Sequence, residues 1–173
     1  PQRKYHGIST QIIAQIKNVR VPFNVDIGVG DIIVPRAEER TINTQLPDFE
    51  APVIKTYSLE STIAEKFDAI LQRFELTGRM KDFYDIYYLS RTFDFEGEKL
   101  QAAIFETLQR RGTPYDRDSF KRVVALADDE DMQKRWKFFL KTIKDNTLEF
   151  SFVITEIQTF LEPVFDAIVN EKF

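Results

Sequence analysis

The sequence predicts an α+β protein dominated by helices, with a small β-rich piece over residues 1–56 and a helical bundle over 57–173. Two observations predict it. β-branched residues flank a single acid in Asn24-Val25-Asp26-Ile27, and Gly28 and Gly30 follow, which is strand-then-turn patterning. From Ser58 onward, apolar residues recur at helical spacing in one run after another.

Taken in order, Tyr5 to Lys17 carries Ile8, Ile12, Ile13 and Ile16, a mixture of strand and short-helix patterning. The strand through Asp26 comes next, and Asp31-Ile32-Ile33-Val34 reads as a second extended stretch closed by Pro35, with Asp31 as a turn residue. Residues 36–56 are polar, hold Pro47 and Pro52, and are expected to be a connection without regular structure. Ser58 is placed to cap a helix, with Glu60 in its first turn, where a carboxylate suits the helix dipole. Ile63, Phe67, Ile70, Leu71 and Phe74 form the buried face of that helix, and Thr77-Gly78 breaks it. Further helices are expected over Arg79–Arg91, Leu100–Arg110, from Thr113-Pro114 as a cap-and-first-residue start, over Ser119–Ala127 and over Asp131–Lys144. A last one runs from Thr147 to about Val169, kinked or restarted at Pro163. Most of the 16 Phe residues fall at core spacing in the helical half and read as packing.

Composition limits the chemistry. The chain has 173 residues, 43% of them hydrophobic and 30% charged, and a net charge of −4. That length suits one domain with a proper core, or a domain with a helical extension. A mean hydropathy of −0.32 and the lack of a long apolar run argue against a disordered tail and against a membrane span. No Cys is present, which removes disulfides, thiolate metal sites and cysteine nucleophiles and fits a cytoplasmic location. With one His, any metal chemistry rests on carboxylates and favours hard ions such as Mg²⁺. The chain opens Pro1-Gln2-Arg3-Lys4, without Met or signal-peptide character, and reads as cut from something longer.

Three segments place polar groups where packing alone would not. Asp26, between two strand hydrophobes, points to the opposite sheet face from them and is either a metal ligand or a solvent-facing strand residue. On the helix after Ser58, Lys66 lies about 60° from Ile63 at the margin of the apolar arc, so its ammonium either meets a phosphate in a cleft or simply snorkels. Glu65 points well away and is expected to face solvent. In Arg79-Met80-Lys81-Asp82-Phe83-Tyr84-Asp85, Asp82 falls inside the apolar arc, where a carboxylate needs a cation, metal or donor. Asp85 sits about 60° further round with Lys81 beside it. These charges form a structural ion-pair network, or they orient Lys66 or a phosphate. Lys134, Lys137, Lys141 and Lys144 add a basic stripe opposite Trp136, Phe139, Leu140 and Ile143, read as a solvated face or a nucleic-acid contact.

The run Tyr57-Ser58-Leu59-Glu60 through Ala64-Glu65-Lys66, followed by Arg79-Met80-Lys81-Asp82-Phe83-Tyr84-Asp85, resembles the AbiEii/AbiGii-type nucleotidyltransferase toxins. Val25-Asp26-Ile27-Gly28-Val29-Gly30-Asp31 is similar to that family's strand motif. The resemblance covers about residues 5 to 90 at motif level. It implies a remnant of a DNA polymerase β-like nucleotidyltransferase sheet, antiparallel or mixed, followed by a C-terminal helical bundle. It also implies a toxin of a bacterial toxin–antitoxin or phage-defence (abortive infection) system, one that transfers a nucleotide from an NTP to an acceptor such as tRNA with Mg²⁺. A cognate antitoxin is an implied partner, and no membrane is. Asp26 would be a metal-site carboxylate, Lys66 would contact the nucleotide phosphates with Arg79 and Lys81 in support, and Asp82 and Asp85 would belong to the downstream catalytic motif. The family's opening Gly-Ser motif and its strand with two acids have no counterpart here. Either they lie upstream of Pro1, or this is a degenerate copy acting as a protein- or nucleic-acid-binding module, and the chain alone is expected to be inactive. The enzyme reading expects Lys66 and Asp82 to face one cleft on the same side as Asp26, within about 10 Å. The binding-module reading expects a closed Lys66–Asp82 pair with no cavity beside it.

Overall fold

The structure, a computed structural model, describes residues 7–30, 32–145 and 147–170, with Glu75 described by its backbone alone. Two compact units divide the chain, 1–32 and 33–173. Together they hold two small antiparallel sheets and, among the described residues, six α-helices, an α+β composition.

The first unit is a hairpin of β1 (Gly7–Ile16) and β2 (Val19–Gly28), so the mixed patterning near Ile8 resolves as strand. Its two-residue loop puts Lys17 at φ 52°, the left-handed region that such loops demand. Directly opposed residues share a face, so the register gathers Ile8, Ile12 and Ile16 with Val21, Phe23 and Ile27. The other face carries Ser9, Gln11, Asn24 and Asp26. Asp31 lies outside the described residues, and Ile32–Val34 is not a strand.

In the second unit, residues 36–56 depart from expectation. They contain β3 (Glu38–Thr41) and β4 (Val53–Thr56), paired antiparallel from Glu38↔Thr56 to Thr41↔Val53. Strands of four residues carry too little alternation to register in a sequence, and this pairing is closed by a loop of eleven residues whose own bonds, such as Thr44 Oγ1 to the Leu46 and Phe49 carbonyls, hold it together.

The helices are α1 (Leu59–Leu71), α2 (Met80–Thr92), α3 (Gly97–Arg111), α4 (Ser119–Ala125), α5 (Glu130–Ile143) and α6 (Phe150–Val169). Ser58 caps α1 as expected, its Oγ accepting from Ser61 N at 3.1 Å. Ser58 Oγ also donates to the Val34 carbonyl at 2.5 Å, while Ser61 Oγ accepts from Val34 N at 2.8 Å. The segment before β3 is thereby tied to the start of α1, with both serines buried.

Thr113-Pro114 does not start a helix. Gly112, at φ 60°, ends α3, and Thr113 N returns to the Leu108 carbonyl at 3.0 Å, a helix stop that turns Thr113 inward. Pro163 does not restart α6, which runs continuously through it.

One core joins the helices. Ile63, Phe67 and Ile70 of α1 meet Phe83 and Ile86 of α2, Leu100 and Ile104 of α3, and the long apolar stripe of α6. Phe67, Phe120 and Phe165 pack as a ring trio with centroids 5.6–5.7 Å apart. Trp136 packs on Phe150 at 5.4 Å and donates Nε1–H to the Leu148 carbonyl at 2.7 Å, fixing the turn between α5 and α6. Aromatic content is thus chiefly packing, but Phe138 of α5 is 72% exposed.

Candidate functional site

Two helices build the centre of the site because their marginal polar positions face each other. Lys66 of α1 reaches across to α2, where Nζ lies 2.6 Å from Asp85 Oδ2 and 3.5 Å from Asp82 Oδ1. Lys81 meets the same Asp85 oxygen at 2.5 Å from one turn earlier. Arg79, at the mouth of α2, brings Nε to 2.8 Å from Asp82 Oδ2. The result is an alternating chain, Arg79–Asp82–Lys66–Asp85–Lys81, three cations to two anions. Sequence reasoning placed all five in one neighbourhood, and the tertiary contact of α1 with α2 joins them.

The two acids differ in how they are satisfied. Burial pushes the Asp85 carboxyl up, but hydrogen bonds and charge from Lys66 and Lys81 together outweigh it and hold it below its ordinary value of 3.8. Asp82 is more deeply placed, its side chain 4% exposed. Its Oδ2 is buried without a hydrogen-bond partner, because Arg79 approaches as an ion pair outside hydrogen-bond geometry. That oxygen rests on the charge of the guanidinium at 2.8 Å rather than on a hydrogen bond, beside the cavity that Asp82 lines.

Beside this chain lies a cavity of about 330 Å³ lined by Tyr57, Thr62, Glu65, Lys66, Arg79, Asp82 and Arg111. Lys66 and Asp82 are therefore not sealed into a closed pair. Glu65 departs from expectation: instead of facing solvent, it binds Arg111 Nη2 at 2.9 Å and lines the cavity. Arg111 was not singled out from the sequence. It is the last residue of α3, and its other nitrogen lies 3.1 Å from Asp68 of α1, which is completely buried. Asp68 also accepts from Thr113 Oγ1 and, at 2.9 Å, from Gln72 Nε2. One signal pointed here: Asp68 lies about 40° beyond Ala64 on the helical wheel, an acid at the apolar margin like Lys66. Its partner, 43 residues away, had no local signature.

Asp26 belongs to the other unit. It stands opposite Ser9 on the polar face of the hairpin and is exposed. Among the described residues, no group of three or more His, Asp or Glu side chains is arranged to hold a metal ion. Asp82 and Glu65, which line the cavity, and Asp85, which pairs with Lys66 beside it, are each already faced by Lys or Arg, a set suited to anchoring cations against an anionic ligand rather than to coordinating Mg²⁺. No described helix is long and apolar enough to cross a membrane.

No curated protein and no solved structure shows significant similarity to the chain. One family model does match, over residues 1–171, and its description is the nucleotidyl transferase AbiEii toxin of type IV toxin–antitoxin systems. Such enzymes use an NTP with a divalent metal, and such systems pair the toxin with an antitoxin. The match takes in the hairpin with Asp26 and every element that lines the cavity, and by it this chain belongs to the AbiEii nucleotidyltransferase toxin family.

Proposed function

We propose that the cavity of the helical unit receives the phosphates of an NTP, whose nucleotide is then transferred to an RNA acceptor such as tRNA. The observation that carries this reading is the pocket itself: Lys66, Arg79 and Arg111 converge on it beside a buried Asp82 with an unsatisfied oxygen. In the transfer, an acceptor hydroxyl attacks the α-phosphorus, the bond to the bridging oxygen breaks, and pyrophosphate leaves with the negative charge. Lys66 supplies positive charge to those phosphates, exchanging one of its two carboxylate partners for a phosphate oxygen. Asp82 and Asp85 hold the ammonium in place beforehand, so that little reorganisation accompanies binding. Arg79 and Lys81 flank the same acids and share the load. Asp26 is proposed as one carboxylate of the Mg²⁺ site. One carboxylate does not hold two ions, so further ligands would have to complete that site.

In this reading the protein acts in the cytoplasm as the toxin of a toxin–antitoxin pair serving abortive infection, a phage defence. A degenerate, binding-only relative would need no cavity at the Lys66–Asp82 pair, which is why the nucleotide reading is preferred. The test is equilibrium binding of each NTP to this chain, beside label transfer to total tRNA with Mg²⁺ by a protein that also carries the family's opening Gly-Ser motif and two-acid strand. Lys66→Ala should weaken NTP binding roughly 10- to 100-fold, the worth of one charge-assisted phosphate contact, and should abolish transfer. NTP binding that ignores Lys66→Ala would move the function to the binding-module class.

A further inference from the structure

A second concavity shares Arg79 with the nucleotide cavity but opens between the start of α2 and α5. This groove, of about 530 Å³, has Phe138 and Phe139 in its lining and Arg79, Lys81, Lys134 and Arg135 around them. Phe138 is the anomaly. It is 72% exposed in a chain whose other helical aromatics mostly serve the core, and Lys134, Lys137 and Lys141 stand four before, one before and three after it on α5. Arg135 is fixed on the rim by its Nη1 donating to the Thr77 carbonyl at 2.8 Å. Among the described residues, Lys134 pairs with exposed neighbours of its own helix, Asp131 at 3.1 Å and Glu130 at 3.8 Å. Pairs of that kind are worth little and are readily exchanged for a stronger anion.

We propose that this groove binds a single-stranded RNA segment, one base stacking on Phe138 while the flanking phosphates lie on the surrounding cations. A projecting aromatic with cations on both sides along a helix is the arrangement that grips single strands without reading their sequence. The four cations around the rings favour a polyanion over an uncharged apolar partner. The chain as a whole carries a charge of −4 and repels polyanions, so the cations gathered on this face are what admit one. Because Arg79 lines both concavities, a strand seated here would bring its end to the nucleotide cavity. That acceptor role, though not the binding itself, rests on the proposed transferase reading.

The experiment is fluorescence anisotropy with a labelled mixed-sequence oligoribonucleotide and its DNA counterpart, over a salt series. The chain should bind the RNA, with affinity falling as salt rises. Phe138→Ala should weaken binding roughly 5- to 100-fold, Phe138→Trp should keep it, and Lys134→Gln should lessen the salt dependence. Trp136 fluorescence checks that each variant is folded. Equal binding by Phe138→Ala, no binding at low salt, or a clear preference for DNA would overturn the proposal. So would full displacement of the RNA by polyglutamate at matched charge, which would make the groove a seat for an acidic protein. RNA binding is read by anisotropy without NTP, and NTP binding by titration without RNA, so the two are separate readouts. Phe138-dependent RNA binding without any NTP binding would therefore sink the transferase reading alone, and NTP binding with Phe138-independent RNA affinity would sink the groove alone.

Discussion

Two buried aspartates lie on adjacent helices of this protein, and their neutralisation should differ in cost. Asp68 is fully satisfied: Thr113, Gln72 and Arg111 all donate to it, and it is completely buried. Asp68→Asn removes the charge that holds a largely buried Arg111 guanidinium, and turns an acceptor into a donor facing Gln72. Breaking one partner of a buried, hydrogen-bonded pair costs about 3–5 kcal/mol, and Arg111 keeps Glu65, so about 3 kcal/mol is expected. Asp82→Asn is a different case. It gives up ion pairs to Arg79 and Lys66, worth at most about 1 kcal/mol together at this exposure. It also gives up a negative charge in the first turn of α2, worth about 0.5 kcal/mol. No hydrogen bond to Oδ2 is lost, because none is made. The sum is a loss of about 1.5 kcal/mol, half that expected for Asp68→Asn. Urea denaturation followed by Trp136 fluorescence reads the helical unit, because Trp136 is buried against Phe139 and Phe150. With a slope near 2 kcal/mol per molar, Asp68→Asn should lower the midpoint by about 1.5 M, and Asp82→Asn by about 0.7 M. If Asp82→Asn cost as much as Asp68→Asn, Asp82 would be an architectural residue, and the argument that it serves the cavity rather than the fold would fail.

Three further expectations follow from local geometry. Asp85 is held below its ordinary value of 3.8 in the folded state, so its stabilisation is complete above that pH and is lost as pH falls through the lower, folded value. Asp85→Asn should therefore shrink the loss of stability below pH ~4 while scarcely altering the shape of the profile above pH ~6, measured as urea midpoints across pH. Ser58→Ala should cost about 1–2 kcal/mol, the upper range for a helix cap, because the same hydroxyl also serves the Val34 carbonyl. A loss under about 0.5 kcal/mol would show that the Val34 tie contributes nothing. Gly112→Ala should cost about 1 kcal/mol through its left-handed backbone, despite open space around the added methyl. Unchanged stability would mean that the α3 stop relaxes without loss.

Periodicity was enough to locate α1, α2, α3 and α5 to within a few residues, because a helix that must bury one face writes that face into its sequence at a spacing no strand shares. The same wheel put Asp82 on the apolar arc and Lys66 at its edge, and both are where that geometry demands. The family, too, was legible, since its motifs are local strings. The rest was decided by contacts between distant segments. The β3–β4 pairing is defined by its partner strand rather than by pattern, and Thr113, which looks like a helix cap, is instead drawn to Asp68, 45 residues earlier. Glu65 and Arg111 each look like surface charges until α1 and α3 pack and bring them to 2.9 Å. A one-dimensional pattern records which face of a helix is buried, since that is a property of the helix. It does not record which charge waits on the neighbouring helix, and the chemistry of this cavity depends on that.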